Sequence, residues 1–173
     1  MNKFMRFLPF LVFGVLGAFL AYGIGKDPTK LPSAVIGSPL PEFRLLDVHD
    51  DTQFITESDL TGQYALLNFW GTWCPACHIE HPYLMELAAQ GVVIYGVDYK
   101  DQLEPAREWL VRYGDPYRRV VFDVGGKLGF DMGVTGAPET YLISPDGVVL
   151  ARYQGPVDQQ VFETVFRPLM LTN

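Results

Sequence analysis

Cysteine is nearly absent from this chain of 173 residues: Cys74 and Cys77 are the only two. A scaffold stapled by several disulfides is thereby excluded. A bridge between these two would restrict almost nothing in the unfolded chain, because a structural disulfide gains most by closing a long loop. Basic charge is scarce as well, with 13 Lys and Arg against 20 Asp and Glu. Setting aside Lys3 and Arg6 leaves 11 basic residues and a net charge of −9. With no basic run and no basic amphipathic helix, the chain argues against nucleic acid as a partner. Lys26 and Lys30 are too few for a lipid-binding patch. Internal repeats and low-complexity segments are missing too. The 49% hydrophobic content supplies one domain with a real core and argues against disorder.

Much of that apolar excess sits at the N-terminus. Residues 7–25 carry no charge and follow Lys3 and Arg6. At 1.5 Å per residue such a stretch reaches roughly 28 Å, close to the hydrocarbon thickness of a bilayer. The preceding cations place the N-terminus on the cytoplasmic side and the remainder outside. Residues 1–25 are therefore expected to be an uncleaved signal anchor. The alternative is a signal peptide cut after the small-x-small triplet Gly23-Ile24-Gly25, but the apolar stretch is longer than a usual signal core. Residues 26–41 hold Pro28, Pro32, Pro39 and Pro41 with Gly37 and Ser38, the composition of an extended tether. A domain over 42–173 follows.

The chemistry concentrates in Trp73-Cys74-Pro75-Ala76-Cys77, where an apolar run over 65–70 gives way to a helical pattern. Thiols at i and i+3, the first at a helix N-terminus, can close a small disulfide and reopen it by exchange, because the helix dipole favours the Cys74 thiolate. Rival readings share these residues. Cys74, Cys77 and His78 make the formal signature of c-type haem attachment, which does not require a strand running straight into the first cysteine. Cys74, Cys77, His78 and His81 share a helical face and could hold a metal, against which stand Pro75 and the lack of a second ligand cluster. A thiol peroxidase would need Thr or Ser where Gly71 stands.

Periodicity predicts short strands over 42–46 and 53–56, a helical turn at 58–60, a buried strand over 65–70 and a helix over 74–90 interrupted near Pro82. A second buried strand over 92–98 and a helix over 104–113 follow, with Pro105 at an early position. Strand, helix, strand, helix implies a parallel pair. Further on come a strand over 120–122, a helical turn over 127–132, a hairpin of 140–144 and 148–154 around Pro145-Asp146-Gly147, and an amphipathic helix over 158–169.

A central mixed sheet with a dithiol after its first buried parallel strand resembles the thioredoxin fold. Three motifs narrow the match: Gly71-Thr72-Trp73-Cys74-Pro75-Ala76-Cys77, Gly96-Val97-Asp98-Tyr99-Lys100-Asp101 and Gly136-Ala137-Pro138-Glu139-Thr140. Together they resemble the membrane-anchored thiol:disulfide reductases of cytochrome c maturation, over about residues 36–170. The resemblance implies a thioredoxin-like α/β domain with an N-terminal hairpin extension and an inserted strand-helix region, preceded by one transmembrane helix. It implies Cys74 as nucleophile, Cys77 as resolving thiol, and a partner groove shaped by Trp73, Pro75, Ala137 and a cis Pro138. Glu80, Glu139 and Asp98 are candidates for proton relay or tuning, while His78, His81 and Tyr141 are read as structural. No haem, nucleotide or metal cofactor is implied beyond the redox-active disulfide. The expected setting is the periplasmic face of the inner membrane. A transmembrane thiol donor would supply electrons, and an apocytochrome c Cys-x-x-Cys-His disulfide, or a maturation protein serving it, would receive them. A general periplasmic oxidoreductase, or a haem or metal carrier using Cys74, Cys77 and His78, are the alternatives. Thr135 departs from the family, where an aromatic residue often precedes Gly-Ala-Pro, and Ala76 replaces the histidine of strongly oxidising relatives.

Overall fold

The computed structural model describes residues 10–19 and 35–171. Residues 10–19 form a helix, α1, inside the expected anchor; the rest of that stretch and residues 26–34 lie outside the described residues. Among the described residues no helix is long and apolar enough to cross a membrane.

The domain carries strands β1 (Arg44–Asp47), β2 (Phe54–Thr56), β3 (Ala65–Trp70), β4 (Ile94–Tyr99), β5 (Val120–Asp123), β6 (Glu139–Ile143) and β7 (Val149–Gln154). They form one sheet in the order β2-β1-β5-β4-β3-β6-β7. The β3, β4 and β5 ladders are parallel, as expected where helices α2 (Pro75–Ala89) and α3 (Leu103–Tyr113) supply the connections. The β1–β2 hairpin joins β5 antiparallel, and β6–β7 joins β3 antiparallel. This is the mixed sheet with an N-terminal hairpin that the resemblance implies.

All six residues of β3 are buried because both faces of the sheet are covered. Leu66 and Trp70 face a core with Cys77, Leu84 and Leu87 of α2, Trp109 and Leu110 of α3, and Phe162 and Phe166 near the C-terminus. Ala65, Leu67 and Phe69 face the other side with Leu60, Tyr99, Tyr141 and, from α4 (Lys127–Asp131), Leu128. The period of two along the strand sets this division. It also leaves Asn68 on the α2 face.

Three expectations change. The α2 helix is not interrupted at Pro82; it runs unbroken to Ala89, since burial of His81, Leu84 and Leu87 on one face offsets the hydrogen bond that proline cannot make. The C-terminal helix is not uniform: α5 (Gln159–Val161) widens into a π-turn over Phe162–Phe166 before α6 (Arg167–Met170). Pro168 lies just past that turn and has no N–H to return to Thr164. Finally, the end of the expected tether lies along β7. The Gly37 N–H donates to the Val149 carbonyl and the Leu40 N–H to that of Gly147, each at 2.8 Å, and Leu40 is buried.

Candidate active site

The β3 strand ends at Trp70, and four residues later Cys74 caps α2. Its extended backbone (φ −99°, ψ 102°) and the proline at the first helical position fix the start of the helix. Cys74 and Cys77 are joined by a disulfide. The Cys77 N–H donates to Cys74 Sγ at 3.1 Å, so the helix end offers Sγ both a hydrogen bond and the positive end of the dipole. Both sulfurs are covered, each residue being 2% exposed. Exposure therefore does not distinguish the two cysteines; the cap hydrogen bond falls on Cys74.

The loop before Cys74 is held from β4. Trp73, half exposed, donates its indole N–H to the Tyr99 carbonyl at 3.0 Å and folds over Gly71, where a Cβ would lie 2.5 Å from the indole nitrogen. Asp101 accepts from the Thr72 N–H, and from the Thr72 hydroxyl at 3.0 Å. The Ala137–Pro138 peptide, immediately before β6, is cis. Ala137 packs against the core that contains both cysteines, and the buried Pro138 gives its carbonyl to the Gly155 N–H at 2.9 Å. Pro75 is exposed.

Glu80 lies on α2 one turn beyond Cys77 and is 2% exposed. Its carboxylate accepts from the Val157 N–H at 2.8 Å and from Asn68 Nδ2 at 2.9 Å. Burial pushes its carboxyl up to about 7, a rise those two bonds oppose. Asn68 extends the network, accepting from the Tyr117 hydroxyl at 2.9 Å and reaching Thr140 Oγ1 at 3.0 Å. Asp98, fully buried near the end of β4, is pushed up to about 8, by burial first and then by the Asp101 charge. Neither of its oxygens has a hydrogen-bond partner among the described residues. At neutral pH the α2 side of the sheet thus holds one buried acid near its midpoint and a second that is mainly protonated.

Glu139 sits elsewhere. In the β3–β6 ladder Thr140 pairs with Asn68 and Glu139 with Phe69, so Glu139 projects from the face opposite Asn68 and α2. It is buried against Arg152, Tyr141 and the loop before Pro138. The three residues read as structural are engaged. His78 Nε2 accepts from the Trp109 indole N–H at 3.1 Å, His81 Nε2 reaches the Gly114 carbonyl at 3.0 Å, and the Tyr141 hydroxyl reaches the Met132 carbonyl at 3.1 Å. Sequence reading missed Asn68, Thr72, Asp101, Tyr117 and Arg152. Of these, Thr72 and Asp101 stood inside two of the motifs that carry the resemblance but were given no role, and Asn68 carried a signal as an amide inside an otherwise apolar buried strand.

Known proteins resemble this chain over most of its length. The Redoxin family model matches residues 36–166. A thiol:disulfide interchange protein DsbE of Pseudomonas aeruginosa is 47% identical, the match spanning 98% of this chain and 94% of the relative. The DsbE of Escherichia coli K12 is 42% identical over 98% of this chain and 95% of its own. Among solved structures, a thio-disulfide isomerase from Thermus thermophilus superimposes with a TM-score of 0.62 at 26% identity, covering 74% of this chain and 92% of the other.

Proposed function

The chain belongs to the Redoxin family and is a thiol:disulfide oxidoreductase akin to the DsbE interchange proteins; from that premise we propose that it acts as a reductase. Held at the periplasmic face of the inner membrane by residues 1–25, it keeps the Cys-x-x-Cys-His thiols of apocytochrome c reduced for haem attachment, directly or through a maturation partner. The observation that carries the reading is the Cys74 sulfur at the cap of α2, in the same core that Ala137 of the cis Ala137–Pro138 peptide packs against.

In the reduced protein the Cys74 thiolate attacks one sulfur of the client disulfide. A Cys74–client S–S bond forms and the client's other sulfur leaves as a thiolate. Cys77 then gives up its proton. Glu80, buried one helical turn away with a carboxyl titrating at about 7, is the group suited to receive it at neutral pH. The Cys77 thiolate attacks Cys74 Sγ, the Cys74–Cys77 disulfide closes, and the client departs with both thiols reduced. Two electrons from a transmembrane thiol donor reopen the disulfide. The alternating closed and open dithiol is the whole of the redox cofactor.

The test offers the reduced protein an oxidised peptide bearing Cys-x-x-Cys-His. Stoichiometric reduction of the peptide, with one Cys74–Cys77 disulfide formed per peptide, is expected. A peptide left oxidised, or oxidation of a reduced peptide by the disulfide form under the same conditions, would overturn the assignment.

A further inference from the structure

Two buried polar groups near the loop into Cys74 are not used by the thiol chemistry. Asp98 is fully buried, and neither of its oxygens has a hydrogen-bond partner among the described residues; the Trp70 indole N–H has none either. Trp70 pairs with Asp98 in the β3–β4 ladder, on the α2 side of the sheet, but its indole nitrogen lies over Gly96, where a Cβ would stand 2.9 Å away. Three residues after Asp98, Asp101 holds the loop that ends at Cys74. Its Oδ2 accepts from the Thr72 N–H, and its Oδ1 from the Thr72 hydroxyl at 3.0 Å and from the Gln102 N–H at 2.7 Å. Between the two acids stands Lys100, the one residue other than glycine with a positive φ, 52°, among the described residues. That conformation persists only where the surroundings hold it. Across this turn the two carboxyl groups lie within hydrogen-bonding reach of each other. A pair of carboxylates has no proton to share and leaves both Asp98 oxygens orphaned, whereas a protonated Asp98 becomes a donor.

We propose that Asp98 is a positioning residue: it keeps its proton, donates it to Asp101, and so fixes the carboxylate that holds Thr72 and the approach to Cys74. A relay would hand the proton on; this donor retains it. The proposal rests on the reading above, in which Cys74 is the attacking thiol. The bond saturates Asp101, whose two oxygens offer about four acceptor sites and already take the Thr72 N–H, the Thr72 hydroxyl and the Gln102 N–H. Burial first, and then the Asp101 charge, favour the neutral form of Asp98, and no cation among the described residues acts against them. The other titratable groups on this side of the sheet are the cysteines, Glu80 and Tyr117, whose hydroxyl is pushed up by burial first and then by Glu80, Asp115 and Asp98. One proton therefore serves two acids, and the pair carries a single negative charge. Its loss would set two carboxylates against each other under the loop. The weakened hold on Thr72 would then let Cys74 leave its attack geometry.

The experiment follows the rate at which the reduced full chain, in detergent, attacks a small aromatic disulfide between pH 6.5 and pH 9. At pH 6.5 Asp98→Asn, whose amide donates without ionising, should react within about twofold of the wild type, and Asp98→Leu about tenfold more slowly. At pH 9 about nine tenths of the wild-type Asp98 has lost its proton, from a carboxyl titrating at about 8, so Asp98→Asn should there be about fivefold the faster protein. Titration of the thiols is common to both and cancels in the ratio. Asp101→Ala should cost about tenfold by itself, and adding Asp98→Leu to it should cost nothing more, because Asp98 acts through Asp101. Asp98→Asn as slow as Asp98→Leu, a ratio that stays flat with pH, or losses that multiply in the double variant would each overturn the proposal. If Asp98→Leu does not fold, the pH dependence of the ratio of Asp98→Asn to wild type decides alone. A Cys77→Ser protein that fails to attack the disulfide would reject Cys74 as the attacking thiol, and this proposal with it, a result distinct from any loss seen in the Asp98 variants.

Discussion

Replacing Glu80 by Gln should change the way stability depends on pH, and the size of the change follows from the burial of this side chain. In the folded protein the carboxyl titrates at about 7, against an ordinary value of 4.5. The native state therefore holds this proton more tightly than the unfolded chain. Its contribution is fully present below 4.5, falls as pH rises from 4.5 to about 7, and is lost above that. At about 1.4 kcal/mol per pH step the loss amounts to roughly 3 kcal/mol. Gln carries no proton to lose. Its amide, however, places a donor where two donors, the Val157 N–H and Asn68 Nδ2, now converge, which costs about 1 kcal/mol at any pH. The variant should accordingly be the less stable protein at pH 4 and the more stable one at pH 8, by about 2 kcal/mol. Urea unfolding of both proteins at the two pH values, with the Cys74–Cys77 disulfide intact, measures this directly. The rise of Asp98 to about 8 is common to both proteins and cancels in the difference. Parallel pH profiles would refute the buried, proton-binding Glu80. The same substitution should slow release of the client from Cys74 by about 10²-fold at pH 7, at the low end of what a general base contributes.

Cys77→Ser should accumulate mixed disulfides through Cys74 on incubation with oxidised client, while Cys74→Ser should accumulate none; non-reducing electrophoresis separates the cases, and equal trapping would mean the nucleophile is misassigned. Gly96→Ala should destabilise the domain by about 1 to 3 kcal/mol, because its Cβ would stand 2.9 Å from Trp70 Nε1 and 3.0 Å from the Tyr117 ring, both buried; an unchanged urea midpoint would show that the rings yield freely. Exchange of residues 1–25 for a cleavable signal should lower holo-cytochrome yield at low expression without moving the dithiol potential, since an anchor contributes effective concentration and no catalytic group; undiminished yield would reduce it to a targeting device.

The parts of this fold that were legible in the sequence are those written in local pattern. The β3 strand, the dithiol at its exit and the hairpin around Pro145-Asp146-Gly147 each follow from a run or a turn motif, and the structure places them within a residue or so of expectation. What local pattern cannot carry is partnership across the chain. Glu80 meets Asn68 across 12 positions and Val157 across 77, and Tyr117 meets Asn68 across 49, so the buried polar network appears only once the sheet is assembled. Pro82 misleads for the same reason, since tertiary burial holds α2 together across a residue whose intrinsic preference is to end it. Glu139 next to a proline at a strand start is indistinguishable in sequence from a solvated edge charge. Its burial against Arg152 depends on the register of β6 with β7, where Tyr141 pairs with Arg152.

Whether this dithiol gives electrons or takes them is the centre of the account, and equilibration of Cys74–Cys77 with a glutathione or dithiothreitol redox buffer measures it. With Ala76 where strongly oxidising relatives place histidine, the midpoint potential should fall nearer that of thioredoxin, about −270 mV, than that of the strongest oxidant of the fold, about −120 mV. A value at the oxidising end would contradict the assignment as a reductase.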